Sequence, residues 1–160
     1  MVTHLKYSRT YPVPVDVAYA RVLPVPLQDV LGRRFLVVAG VRSTEQTGEW
    51  GSAGVGQQRR IRFTDGGTAR ETLTGLEVPH WFGYHLDSFT GPLKLLIGGV
   101  DGRWSFTPEA VRDHVGTRVT WSWEVTPASR VAERGMPLLR WFWTGFARQG
   151  FDDIGKLLSA

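Results

Sequence analysis

The sequence predicts an α+β domain in which a curved antiparallel sheet of seven strands wraps around a long C-terminal helix. Three observations lead to this prediction. Apolar and polar residues alternate over residues 3–11, and again between residues 41 and 126, with the period of half-buried strands. Prolines between these two regions separate two short helical stretches. After Pro127 the apolar period becomes that of a helix and continues almost to the end of the chain.

The first third of the chain is expected to form one strand and two short helices. Residues 3–11 form the strand, and the prolines that follow it end the ladder. Asp16 can cap or acidify the first turn of a helix that continues to Leu23. Two further prolines end this helix, and residues 27–31 suggest a second short one.

Six further strands are expected between residues 41 and 126. They are predicted at residues 41–48, 55–64, 68–78, 80–90, 100–107 and 116–126. The turn at residues 64–67, Thr-Asp-Gly-Gly, is a strong hairpin signal because glycine tolerates the positive φ of a tight turn. A glycine-rich interval at residues 98–102 is expected to precede the sixth strand, and residues 112–116 lead into the seventh.

The C-terminal helix has one apolar face. Pro137 lies near its start, where proline is tolerated. A helix of about 20 residues is about 30 Å long, which is enough to cross the whole sheet. The residues on the expected apolar face are Leu139, Trp143, Phe146, Gly150, Ile154 and Leu157.

Length and composition fit a single cytoplasmic domain that spans residues 1–160. With 42% hydrophobic and 21% charged residues, the chain can bury a core of its own and does not resemble a disordered protein. It contains no cysteine, which excludes disulfides and cysteine nucleophiles and makes the cytoplasm the default location. No apolar run resembles a signal peptide or reaches the roughly 18 residues of a membrane span, so we expect a soluble protein.

The net charge of +4 raises the question of a nucleic-acid partner. The arginines are dispersed, and only Arg59, Arg60 and Arg62 lie close together in sequence. Neighbouring residues of a strand face opposite sides, so these three cannot form one basic surface. We therefore expect no nucleic-acid partner, and the sequence leaves open whether the protein is a monomer or a homodimer.

The order strand, two short helices, six strands and long helix resembles the START-like superfamily, also called SRPBCC. Its members include polyketide cyclases, plant hormone receptors and the birch-pollen allergen family. The resemblance covers nearly the full chain and is most specific at residues 54–63, 65–67, 70–73 and 78–79, which are similar to the family's succession of glycine, arginine, turn, glutamate and proline. Residues 116–121 are similar to the family's seventh strand. The resemblance implies a helix-grip fold with a hydrophobic cavity between the sheet and the C-terminal helix.

The third and fourth strands are expected to bring a charged pair into that cavity. A turn centred near Gly66 would place Phe63 opposite Ala69, Ile61 opposite Glu71 and Arg59 opposite Leu73. These residues then share the inward face, because their neighbours along each strand are mostly polar.

A buried Glu71 carboxylate needs a nearby cation, and Arg59 lies one diagonal away in this register. The resemblance supports the functional interpretation, since the family glutamate matched by Glu71 often lines the ligand pocket. Two alternatives remain open: a purely structural ion pair, or a register slip that leaves Glu71 in water.

Aromatic residues are expected to form most of the remaining cavity wall. Tyr84 is the inward phenol of the fifth strand, and its hydroxyl could donate to a ligand carbonyl or satisfy an acceptor in the core. His85 then points outward beside Asp87, as a surface pair or as a general base in a cleft. The other expected lining residues are Phe82 and Leu86 of the fifth strand, Trp104 and Phe106 of the sixth, Trp121 and Trp123 of the seventh, and Trp143 and Phe146 of the helix, which form the opposite wall.

No metal or cofactor is predicted. The chain has no metal-binding histidine pair, no glycine-rich phosphate loop after a parallel strand, and no serine nucleophile elbow. The glycine-rich residues 51–56 precede a strand and do not open a helix, so they are interpreted as a flexible loop. This loop and residues 91–96 are candidates for gating the mouth of the pocket.

Three functions are compatible with these observations. The first is binding of a small hydrophobic ligand, such as a lipid, a polyketide or a polycyclic aromatic metabolite. The second is a polyketide aromatase, cyclase or dehydrase, in which Glu71, Arg59 and Tyr84 would be the catalytic candidates. The third, which is less favoured, is a protein-interaction module with an aromatic groove along the helix.

Overall fold

The computed structural model describes residues 1–160 and confirms the predicted fold class. The seven strands form one antiparallel sheet in the order β1-β7-β6-β5-β4-β3-β2. The strands are β1 (Thr3–Tyr11), β2 (Val41–Glu45), β3 (Gln58–Phe63), β4 (Thr68–Glu77), β5 (Trp81–Asp87), β6 (Ile97–Val111) and β7 (His114–Pro127). The helices are α1 (Val15–Val22), α2 (Leu27–Val30), α3 (Arg130–Glu133) and α4 (Met136–Ser159), and a 3-10 turn covers Pro92–Leu95.

The two short helices follow β1 as expected. Pro14 is the N-cap of α1, and Asp16 lies in the first turn without making a capping hydrogen bond. A carboxylate in the first turn still interacts favourably with the helix dipole. Helix α1 buries Ala18, Tyr19 and Val22 against the core and contacts β6, β7 and α4.

The hairpin of β3 and β4 differs from the predicted register by two residues. Arg59 pairs with Glu71, and Ile61 pairs with Ala69. The difference arises at the turn, where the amide of Phe63 donates to the carbonyl of Gly67 and Gly66 adopts a φ of +89°, so the loop is tighter than expected. A shift of two residues keeps every side chain on its predicted face, because the side-chain period of a strand is two.

The predicted start of the sixth strand was wrong. Strand β6 begins at Ile97, so the glycines of residues 98–102 lie within the strand and not before it. Glycine is disfavoured in strands unless another group approaches closely. Gly102 meets this condition, because a Cβ atom there would lie 2.1 Å from Cζ of Tyr84. Strand β7 also begins two residues earlier than predicted, after a tight turn at Arg112 and Asp113.

The long helix α4 crosses the concave face of the sheet. Its buried residues include Leu139, Trp143, Phe146 and Ile154, as the apolar period predicted. At the C-terminal end, Leu158 is buried and Leu157 is only partly buried. None of the helices is both long enough and apolar enough to cross a membrane.

Candidate functional site

A largely enclosed cavity lies against the inner face of the sheet. The volume of the cavity is about 70 Å³, and 20 of its 22 lining residues are hydrophobic. This volume is small for a ligand pocket. The two lining residues that are not hydrophobic are Arg59 and Glu71. The cavity is therefore apolar apart from one charged pair.

Most of the residues predicted to face the cavity do line it. They come from five adjacent strands and from α4. The predicted residues on its surface are Arg59, Ile61, Phe63, Glu71, Phe82, Tyr84, Leu86, Trp104, Trp121, Trp123 and Phe146.

Leu73, Phe106 and Trp143 were also predicted to line the cavity, but the structure places them in packed core. The inner face of the sheet extends beyond the cavity, and Leu73 and Phe106 lie two residues further along their strands than lining residues. Trp143 packs with its ring centroid 4.8 Å from that of Trp121, so it fills space and does not border the void. Phe146 is the only residue of α4 that lines the cavity.

The opposite wall is formed mainly by residues 22–41, which the sequence analysis did not assign to the site. Arg33 ties this segment to α4, since its guanidinium donates to the Asp153 carboxylate and to the carbonyl of Gln149. The apolar residues of the two short helices indicated that this segment is partly buried. Helices this short have too few turns for periodicity to show which side chains face the cavity. The lining residues that were missed are Val22, Leu23, Val25, Leu27, Val30, Leu31, Val38, Ala39, Val41, Phe89 and Leu93.

The charged pair is a buried, bidentate ion pair. The Arg59 Nε atom lies 2.9 Å from Oε1 of Glu71, and Nη2 lies 3.2 Å from Oε2. Their side chains are 3% and 4% exposed, which removes the alternative in which Glu71 is in water. Two oppositely charged groups that share two hydrogen bonds offset much of their desolvation cost. The cavity therefore has a polar end with no net charge.

Trp50 covers this ion pair and was missed by the sequence analysis. Its ring centroid lies 4.0 Å from the guanidinium carbon of Arg59, in cation–π geometry. The loop that carries Trp50 is held by Gln57, whose side-chain oxygen accepts hydrogen bonds from the amides of Gly51 and Ala53. The glycine-rich residues 51–56 are thus tied down beside the ion pair. No cavity-lining residue comes from them, whereas Leu93 of the second loop does line the cavity.

Tyr84 joins the polar end of the cavity to the aromatic wall. Its hydroxyl oxygen accepts hydrogen bonds from the indole nitrogens of Trp121 at 2.7 Å and of Trp123 at 2.8 Å. Gly102 pairs with Tyr84 on the neighbouring strand and leaves room for the phenol ring. The predicted inward orientation of Tyr84 agrees with these contacts.

Replacing Gly102 with alanine is expected to lower the free energy of unfolding by about 1–3 kcal/mol, because the new methyl group would overlap the ring of Tyr84. Urea unfolding of the purified variant measures this. Gly99→Ala is the matched control on the same strand, since a Cβ atom there would find its nearest neighbour at an ordinary 3.6 Å. Equal losses in the two variants would contradict the close packing at Gly102.

Three buried tyrosines, Tyr11, Tyr19 and Tyr84, should make the protein sensitive to alkali, and Tyr84 and Tyr11 should contribute most. Burial raises the pKa of Tyr84 well above its usual value of 10.0, and the Glu71 carboxylate raises it further, against the two indole donors that lower it. Burial also raises the pKa of Tyr11, whose hydroxyl donates to the carbonyl of Phe151. Both residues stay neutral in the folded protein but ionise near pH 10 once unfolded.

Their stabilising contribution is therefore complete below about pH 10 and is lost as the pH rises above it, by about 1.4 kcal/mol per pH unit for Tyr84 alone. Denaturant titrations at several alkaline pH values measure this slope, and tyrosinate absorbance should appear together with unfolding. A free energy of unfolding that stays constant up to about pH 11 would contradict the burial of these hydroxyls.

His85 lies outside the cavity, on the outer face of the sheet. Its Nδ1 atom is 2.8 Å from Oδ1 of Asp101 on the neighbouring strand, and its Nε2 atom is 4.0 Å from Asp87. The outward orientation agrees with the sequence pattern, although the closer carboxylate is Asp101. No group of three or more His, Asp or Glu side chains is arranged to hold a metal ion.

A family model described as "Polyketide cyclase / dehydrase and lipid transport" matches residues 2–158. The chain belongs to this family. The match confirms the START-like resemblance and covers almost every element of the helix-grip fold. The family's description includes both enzymes and lipid carriers, so membership alone does not separate the two functions.

Solved structures with the same fold include Ara h 8.0201 and proteins from two Bacillus species. The crystal structure of Ara h 8.0201 has a TM-score of 0.62 and 16% identity, with 100% of both chains covered. An uncharacterized protein from Bacillus thuringiensis has a TM-score of 0.66 and 16% identity, with 99% of this chain and 100% of that chain covered. The protein XoxI from Bacillus cereus has a TM-score of 0.66 and 15% identity, with 98% and 95% covered. At such identities the likeness shows the fold alone, and no curated protein matches the sequence.

Proposed function

We propose that this member of the family binds a small, compact hydrophobic molecule in the cavity between the sheet, residues 22–41 and Phe146. The observation that supports this is the lining, in which 20 of 22 residues are hydrophobic and the only charges belong to one ion pair. An apolar molecule gains free energy by leaving water for such a surface. Because the ion pair has no net charge, the cavity does not favour a charged ligand.

The size of the cavity favours a molecule with about one ring. Its volume of about 70 Å³ is well below the space that a sterol or a long acyl chain needs. Larger lipids or polycyclic metabolites would enter only if residues 22–41 moved away from the sheet. Apart from the ends of α1 and β2, α2 is the only helix or strand in this segment, so it is the wall with the least regular structure.

A polyketide cyclase or dehydrase is the second candidate function. It is favoured by one observation, which is that the three catalytic candidates Arg59, Glu71 and Tyr84 all line the same cavity. Enolisation of a ketone needs a base, and Glu71 is the only carboxylate in the lining. Both of its oxygens are already bound to Arg59, so the lining contains no carboxylate that is free of an ion pair. The geometry therefore supports binding more strongly than turnover.

Titration with α-methylstyrene, a compact hydrocarbon with one ring, tests the proposal. Three tryptophans, Trp104, Trp121 and Trp123, line the cavity, so intrinsic fluorescence should report saturable binding of one molecule per chain. At a hundredfold excess over the dissociation constant, binding should raise the free energy of unfolding by about 2.7 kcal/mol.

Val41→Phe fills the cavity from β2 and should abolish this binding. The matched control is Arg42→Phe, which adds the same ring at an exposed position one residue away and should bind as the unaltered protein does. Circular dichroism verifies that both variants are folded. Absence of saturable binding to the unaltered protein, or full binding by folded Val41→Phe, would contradict the proposal.

A further inference from the structure

The hydroxyl of Tyr84 is held so that it can only donate a hydrogen bond to a ligand. It accepts one hydrogen bond from Trp121 and one from Trp123, at 2.7 and 2.8 Å. An indole nitrogen is a donor only, so the direction of both bonds is fixed by chemistry. A phenol has one proton and two acceptor lone pairs, and both lone pairs are occupied. The proton is what remains for a third partner.

No protein group accepts that proton. Tyr84 donates none of the side-chain hydrogen bonds in the structure, although it is 5% exposed and lines the cavity. A buried donor without an acceptor costs free energy, and a ligand oxygen would recover that cost. Burial raises the pKa of Tyr84, so the hydroxyl keeps its proton at neutral pH.

Arg59 and Glu71 are the other polar residues of the cavity, and they are bound to each other. Each oxygen of Glu71 accepts one hydrogen bond from Arg59 and keeps one further lone pair, so Glu71 is the only other side-chain acceptor in the lining. The Nη1 atom of Arg59 is buried without any hydrogen-bond partner. Every other lining residue is hydrophobic. A ligand hydroxyl or amine placed against Tyr84 would therefore lose its hydrogen bond to water and find no acceptor at that phenol.

We propose that the cavity selects molecules that present a carbonyl or another unprotonated oxygen to Tyr84, and that Trp121 and Trp123 set this selectivity by occupying the phenol's lone pairs. Aryl ketones and aldehydes with one ring fit this description and are the smallest aromatic molecules that do so. The inference rests on the proposed function, since it requires that the cavity admits a ligand.

The test compares acetophenone with 1-phenylethanol, which have nearly the same shape but carry a carbonyl and a hydroxyl group. The unaltered protein should bind acetophenone about tenfold more tightly, because Tyr84 can donate to either oxygen but cannot accept the alcohol's proton. Isotope-edited infrared spectroscopy of the bound ketone should show its carbonyl stretch lowered relative to a solution in alkane, as a hydrogen bond from Tyr84 requires.

The variant Trp123→Phe tests the role of the indoles. It frees one lone pair of Tyr84, so the preference for the ketone should shrink to about twofold or less, while the carbonyl stretch of bound acetophenone stays lowered. Trp123 is only partly buried, which makes it the better of the two indoles to replace. Binding of α-methylstyrene, which has no oxygen, corrects for any change in the size of the cavity.

The outcomes separate the two proposals. If none of the three probes binds, the proposed function fails and the selectivity fails with it. If α-methylstyrene and acetophenone bind, but the alcohol binds equally well or the carbonyl stretch is unshifted, the proposed function stands and the selectivity is overturned. An unchanged preference in folded Trp123→Phe overturns the role assigned to the indoles.

Discussion

Replacing Glu71 with glutamine is expected to lower the free energy of unfolding by about 3–5 kcal/mol, because it leaves the buried Arg59 guanidinium without its counter-charge. The pair is almost fully removed from water, so solvent cannot compensate for the lost carboxylate. Trp50 would still cover the guanidinium, but a cation–π contact contributes less than the lost ion pair. Chemical unfolding of the variant and of the unaltered protein measures the difference.

The neighbouring pair of Arg70 and Asp87 is a matched control. It has the same bidentate geometry, with both distances at 2.9 Å, but its side chains are 51% and 31% exposed. Asp87→Asn should therefore cost less than about 1 kcal/mol. Replacing both buried partners, as in Arg59→Met with Glu71→Leu, should recover most of the loss, since no unpaired charge is left behind. A cost for Glu71→Gln as small as that for Asp87→Asn would contradict the burial of the pair.

Replacing Trp121 with alanine is expected to cost about 3–5 kcal/mol and to enlarge the cavity. The ring of Trp121 packs against several aromatic neighbours, with centroid distances of 5.1 Å to Trp104 and 4.8 Å to Trp143. Its removal would also leave Tyr84 with one fewer hydrogen bond. The variant should bind naphthalene more tightly than the unaltered protein does, because the void would then hold a second ring.

Trp141 of the same protein provides the control for this change. It lies on α4 with 62% exposure, so Trp141→Ala should change the free energy of unfolding by about 0.5 kcal/mol or less and leave naphthalene binding unaltered. Thermal and urea unfolding together with fluorescence titration give both quantities. A Trp121→Ala variant that is as stable as Trp141→Ala would contradict its place at the centre of the aromatic cluster.

Much of the site could be predicted because the period of a strand determines which face a side chain occupies. Arg59 and Glu71 face inward whether the hairpin register is the predicted one or is shifted by two residues. The tight loop at Gly66 decides between these registers, and loop geometry is not encoded in periodicity. The direct pairing of the two residues, and with it the bidentate ion pair, therefore required the structure.

Contacts between elements distant in sequence could not be predicted in the same way. The early start of β6 comes from the pairing of Ile97 and Gly99 with Pro127 and Thr126 at the end of β7, which is a contact between separate strands. The wall at residues 22–41 and the position of Trp50 over Arg59 also arise from packing of irregular segments. Short helices and loops carry too few residues for an apolar period to define a face. The sequence analysis consequently assigned too much of the cavity wall to α4.

The most direct test of the account is a crystal structure of the protein grown with bromobenzene, read from the anomalous signal of the bromine. We predict one bromine peak inside the cavity, among Ile61, Leu86 and Trp104. A cavity that stays empty at saturating bromobenzene, with its walls closed by their own side chains, would contradict the claim that this fold holds a small hydrophobic molecule.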